Sequence, residues 1–128
     1  MNTNKSKIVA LIEDDDTISM MYRTKFELEG FKVNVAANGR TGIAMVEQEH
    51  PHIILLDINM PEMSGFEALK NIRKLPRGQE IPVVVLTNLG QHEAPHGLDA
   101  LGVSKYIVKA NLTPRQVVEE VEAVLSSI

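Results

Sequence analysis

Five residues with chemical potential stand directly after apolar runs. Asp57 follows Ile53-Ile54-Leu55-Leu56. Glu13 and Asp14 follow the run ending at Ile12. Thr87 follows Val83-Val84-Val85-Leu86, and Lys109 follows Tyr106-Ile107-Val108. A carboxylate at the tip of a buried strand is a candidate nucleophile. Acids gathered beside it would repel one another, since at ~4 Å and an effective dielectric near ~20 each like pair costs about 4 kcal/mol. Such a cluster must take up protons or hold a cation. Hard oxygen ligands without Cys or His point to Mg²⁺, which favours one or two carboxylates plus a phosphate. A hydroxyl and an ammonium nearby would complete a site for a transferred phosphoryl group. The cation and Lys109 would neutralise its oxygens, Thr87 would donate a hydrogen bond, and Asp57 would attack in line.

Taken singly, these residues have ordinary readings. The run Glu13 to Asp16 reads as a solvated, helix-capping acidic stretch, Thr87 as a strand-end threonine, and Lys109 as a surface lysine. The chemical reading rests on four strand ends agreeing, so the strands must be placed first.

A short, wholly aliphatic run reads as a strand buried on both faces. The runs within 52–57 and 81–87 fit that description, 7–12 reads as the first strand and 105–108 as the fifth, and 31–36 alternates through Phe31, Val33 and Val35. Helical spacing lies between them. Asp15 or Asp16 caps a helix running to about residue 29, with Ile18, Met21, Tyr22 and Phe26 on one face and Gly30 as its stop. Asn38-Gly39 is a turn, and 40–49 a short helix closed by Pro51. Ser64 caps a third helix carrying Phe66, Leu69 and Ile72 and ending at Pro76 to Gly78. Residues 91–101 form a weak helix, because Pro95 and Gly97 lower its propensity. Thr113-Pro114-Arg115-Gln116 is a capping box with proline at the first helical position. It opens a last helix with Val117, Val118, Val121, Val124 and Leu125 inward.

Five βα units require a mostly parallel sheet with helices on both faces. The expected fold class is therefore α/β, a flavodoxin-like, doubly wound (βα)5 domain with strand order 2-1-3-4-5. Its switch point lies between the first and third strands. That order sets Glu13 and Asp14 beside Asp57.

The chain has 128 residues, enough for one domain with a real core. The expectation is a single domain over 1–128, without linker, repeat or second unit. With no cysteine, disulfides and thiolate metal sites are excluded. A cytoplasmic location fits. The apolar runs are far shorter than the ~20 residues that span a bilayer. The net charge of −4 gives no support to nucleic-acid binding through a basic face.

With those residues in place, the sequence resembles a response regulator receiver domain of two-component signalling, from about Lys7 to Leu125. The resemblance rests on Ile12-Glu13-Asp14-Asp15, on Leu55-Leu56-Asp57-Ile58-Asn59-Met60-Pro61-Glu62-Met63-Ser64-Gly65, on Leu86-Thr87, and on Tyr106-Ile107-Val108-Lys109. It implies that Asp57 accepts a phosphoryl group from a phosphohistidine on a sensor histidine kinase or histidine phosphotransfer protein. It implies Mg²⁺ held by Asp14, Asp57 and the backbone carbonyl of Asn59, with Glu13 acting through water. Lys109 and Thr87 would contact phosphoryl oxygens. Thr87 and Tyr106 would form the switch, Tyr106 turning inward as Thr87 moves. A downstream protein target would then dock. The chain would be a self-directed switch rather than an enzyme with a separate substrate.

Some residues depart from that pattern. Ala110 stands where many receivers have proline after a cis bond. A cis bond here would cost roughly 3–4 kcal/mol, so the loop 109–112 is expected to take another path. Asn88 replaces a smaller residue after the threonine. Leu89 is placed near the path of attacking water, where it would slow loss of the phosphoryl group, with polar Asn59 an offset. His92 and His96, at i and i+4, read as solvent-facing on a weak helix, and His50 and His52 as structural or exposed. Met20-Met21 and Met60/Met63 read as core or loop packing.

Two other classes compete. A phosphorylation-independent, receiver-like interaction module is disfavoured by the intact acids, threonine and lysine. A flavodoxin would need a hydroxyl-rich phosphate loop where this chain has four acids. A haloacid-dehalogenase-type phosphatase needs Asp-x-Asp-x-Thr, and Thr17 falls one residue short.

Overall fold

The computed structural model describes residues 7–88 and 97–128. Five strands, β1 (Ile8–Ile12), β2 (Lys32–Ala36), β3 (Ile53–Asp57), β4 (Val83–Thr87) and β5 (Val103–Val108), form one sheet in the order β2-β1-β3-β4-β5. Every pairing is parallel. The helices are α1 (Asp16–Leu28), α2 (Gly39–Glu49), α3 (Gly65–Ile72) and α4 (Pro114–Ser126). The expected flavodoxin-like order is the observed one.

Strand alternation divides the core in two. Val9, Leu11, Ile53, Leu55 and Ile107 face α1 and α4, packing on Tyr22, Phe26, Val117 and Val121. Ala10, Ile12, Ile54, Leu56 and Val85 face α2 and α3, packing on Val46, Leu69 and Ile72. Both faces of β3 are buried, as its unbroken aliphatic run requires.

The helix starts follow local chemistry. Asp15 caps α1 by accepting the Ile18 N–H, and Asn38 caps α2 through Thr41. Ser64 caps α3 through Glu67, and the Thr113–Gln116 capping box is formed at α4. Gly30, at φ 98°, turns the chain out of α1.

Several expectations are corrected. Met20 and Met21 are 68% and 43% exposed, not packed inward. The buried face of α1 is Ser19, Tyr22 and Phe26. Ser19 is admitted because its Oγ donates to the Asp16 carbonyl. Helix α3 ends at Ile72, before Pro76, where Arg73 takes over the turn. Residues 97–101 hold only a single 3-10 turn, Asp99–Leu101, and the rest of the expected weak helix, with Leu89, His92, Pro95 and His96, lies outside the described residues.

Candidate functional site

Register brings the site together. Ile12 pairs with Leu56, so Glu13 comes level with Asp57 one step beyond. Asp57 pairs with Leu86, and Thr87 with Val108, so Thr87 and Lys109 each stand one residue past a paired position. By alternation Glu13, Asp57 and Lys109 fall on the α1/α4 side of the sheet. Thr87 and Tyr106 fall on the α2/α3 side.

Glu13 and Asp57 are 1% and 2% exposed, whereas Asp14 is open to solvent. Carboxylate oxygens of all three lie within 4.8 Å of one another. The Lys109 amine enters from β5. Its Nζ donates to Glu13 Oε1 at 2.6 Å and lies 3.5 Å from Asp57 Oδ1. The other Glu13 oxygen, Oε2, accepts the Asp15 N–H at 3.2 Å. Asp57 Oδ1 also accepts the Asn59 N–H at 3.1 Å. Lys109–Asn111 forms a 3-10 turn, no described peptide bond is cis, and the Lys109 amine reaches the acids.

Electrostatics follow from burial. Burial first, then the hydrogen bond and charge of Glu13, push the Asp57 carboxyl well above its ordinary 3.8, with Lys109 and the Asn59 N–H pulling the other way. Burial lowers the Lys109 amine, but Glu13 and Asp57 outweigh it and hold the amine above its usual value. Tyr22, from α1, lies near the same charges. Its hydroxyl is pushed up by burial, lowered by Lys109, and raised by Glu13 and Asp57.

The loop after β3 shows why the segment after Asp57 ends in Ser64-Gly65. A Cβ at Gly65 would collide with the Asp57 carbonyl. Only glycine lets α3 begin so close to the acid, and Gly65 N–H donates to the Ile58 carbonyl at 3.0 Å. Met63 lies against Gly39 at the start of α2, and Met60 is buried. Thr87 is 2% exposed and Tyr106 half-buried. Sequence reading missed two neighbours. Asp99 accepts a hydrogen bond from Tyr106, and Tyr22 sits near the acids; neither shows in a local pattern. His52 is structural, its Nδ1 accepting the Ile8 N–H at 3.0 Å. A cavity of about 390 Å³ opens at the opposite end of the sheet, beside His52, Pro82 and Leu125, and no site residue lines it.

A doubly wound sheet with an acid cluster and a lysine at its carboxyl edge is the arrangement of a CheY-like receiver. The sequence model of the response regulator receiver domain matches residues 9–122, and the chain belongs to that family. Regulatory protein AtoC of Escherichia coli is 34% identical over 101 residues, covering 79% of this chain and 22% of AtoC. An uncharacterized 14.6 kDa protein of Leptolyngbya boryana is 31% identical, covering 85% of this chain and 83% of that protein. The chemotaxis protein CheY4 of Vibrio cholerae superposes with a TM-score of 0.86 at 27% identity, covering 93% of this chain and 98% of that one. The chain spans about half the length of several other curated relatives. Receiver domains are signalling switches that bind Mg²⁺ in an acidic site and interact with sensor histidine kinases and downstream effectors. Among the described residues no helix is long and apolar enough to cross a membrane.

Proposed function

We propose that residues 1–128 act as a single, cytoplasmic phospho-acceptor domain of a two-component phosphorelay, with Asp57 as the acceptor. The observation that carries this reading is the three-carboxylate cluster with the Lys109 amine set between two of its members. In the transfer, an Asp57 oxygen forms a bond to phosphorus as the P–N bond of the donor phosphohistidine breaks. The leaving imidazole nitrogen takes the electron pair and then a proton. Asp14, Asp57 and the Asn59 carbonyl would hold Mg²⁺, with Glu13 acting through water. The ion supplies charge neutralisation for the phosphoryl oxygens. Lys109 would leave Glu13 to contact one of those oxygens, and the Thr87 hydroxyl another. Thr87 and Tyr106 share one face of the sheet, which suits a coupled switch. The donor would be a sensor kinase or a histidine phosphotransfer protein, and the output a docked protein target rather than nucleic acid or membrane.

Incubation with phosphoramidate and Mg²⁺, followed by intact-mass measurement, tests the reading. One added phosphoryl group is expected, abolished by EDTA and by Asp57→Asn. Failure to label would favour a phosphorylation-independent interaction module.

A further inference from the structure

Tyr106 has a partner that the transfer chemistry does not use. Its hydroxyl donates to Asp99 Oδ1 at 3.1 Å. Asp99 begins the 3-10 turn Asp99–Leu101, which is fixed from two sides. Leu98, 1% exposed, anchors it in the buried cluster on the α2/α3 side of the sheet. The Arg73 guanidinium grips its far end, donating to the Leu101 carbonyl at 2.7 Å and to that of Gly102 at 3.2 Å. Gly102, at φ 74°, then turns the chain into β5. The carboxylate is therefore presented to Tyr106 by a braced turn, and little ordering cost is left for the bond itself.

Tyr106 stands opposite Val85 on β4, on the same face as Thr87. In the observed position its ring packs on the α2/α3 core and its hydroxyl is held at the rim by Asp99. Turning inward would break that bond. Asp99 is exposed, so on release water would solvate it again at little cost. The contact thus favours one rotamer over the other, which is what a population shift requires.

We propose that Asp99 is a positioning residue that latches Tyr106 outward and sets the threshold of the switch, an inference that rests on the Thr87–Tyr106 switch proposed above. A hydrogen bond to a carboxylate at an exposed site is expected to bias the two rotamers by roughly threefold to tenfold. Inward Tyr106 in the unphosphorylated chain should rise by that factor in Asp99→Ala, and by less in Asp99→Asn, which keeps an acceptor without the charge.

The chain has two tyrosines, so 3-fluorotyrosine gives two ¹⁹F signals, assigned through Tyr106→Phe. Beryllofluoride with Mg²⁺ serves as the phosphoryl mimic and marks the inward position of the Tyr106 signal in the wild type. In Asp99→Ala without the mimic, the Tyr106 signal should move part of the way to that position while the Tyr22 signal stays. A Tyr106 signal unmoved by Asp99→Ala would overturn the latch and leave the switch intact. Movement of Tyr22 as well would also overturn it, since the effect would then be on general packing. If bound beryllofluoride leaves wild-type Tyr106 unmoved, the switch itself fails and the latch falls with it.

Discussion

The Lys109 ammonium and the Glu13 carboxylate, 96 positions apart in the chain, meet at 2.6 Å with side chains only 10% and 1% exposed. Each strand end alone would leave a buried charge without a counterion. Together they make a pair that also neutralises part of Asp57.

Removing the lysine should therefore expose the repulsion it suppresses. Lys109→Ala leaves two buried carboxylates facing each other, and we expect a loss of roughly 2–4 kcal/mol in metal-free protein. Urea unfolding with EDTA and with Mg²⁺ measures it. Magnesium should restore a larger share of stability to the variant than to the wild type, because the ion would replace the missing charge. Equal gains would mean that no cation substitutes for the amine.

Asp57 gives a prediction in pH. Its folded value is raised above 3.8, so the native state binds that proton more tightly than the unfolded chain does. The contribution to stability is complete below the unfolded value and is lost as pH climbs through the higher folded one. Asp57→Asn, which cannot ionise, should stabilise the metal-free domain by roughly 1–3 kcal/mol at pH 8 and make little difference near pH 4. Denaturation across that range reads the effect directly. A variant no more stable than wild type at pH 8 would count against a strained carboxylate.

Arg73 is the long-range clamp of the α2/α3 side. Its guanidinium donates to the carbonyls of Leu101, Gly78 and Ile81, each at 2.7 Å, and of Gly102 at 3.2 Å. Burial lowers its pKa, though it remains a cation. Arg73→Ala strands several acceptors and should cost roughly 2–4 kcal/mol. Arg73→Lys, with one point donor instead of a planar fork, should recover less than half of that loss. Thermal unfolding compares the three proteins.

Two exposed residues should be improvable. His50, at φ 48°, closes α2, and Arg77, at φ 63°, sits in the turn before β4. Side chains in this left-handed region cost roughly 1 kcal/mol each relative to glycine. His50→Gly and Arg77→Gly should each raise stability by about 0.5–1 kcal/mol. Calorimetry of the two single variants against the wild type checks this.

Much of this molecule is written locally. The aliphatic runs specify strands buried on both faces. Asp15, Ser64 and Thr113 start helices because an oxygen at that position satisfies a helix N–H within three residues. The chemistry at the strand tips was legible for the same reason: a polar residue ending an apolar run must emerge at the sheet's edge. Tertiary structure decided the rest. It chose which of four consecutive acids are drawn inward, burying Glu13, leaving Asp14 open, and making Asp15 a cap. It turned Met20 and Met21 outward and Ser19 inward. It joined Lys109 to Glu13, Tyr106 to Asp99, and Arg73 to Leu101. Periodicity reports only what lies within a turn or two of chain, whereas these pairings depend on strand register and on where each crossover returns.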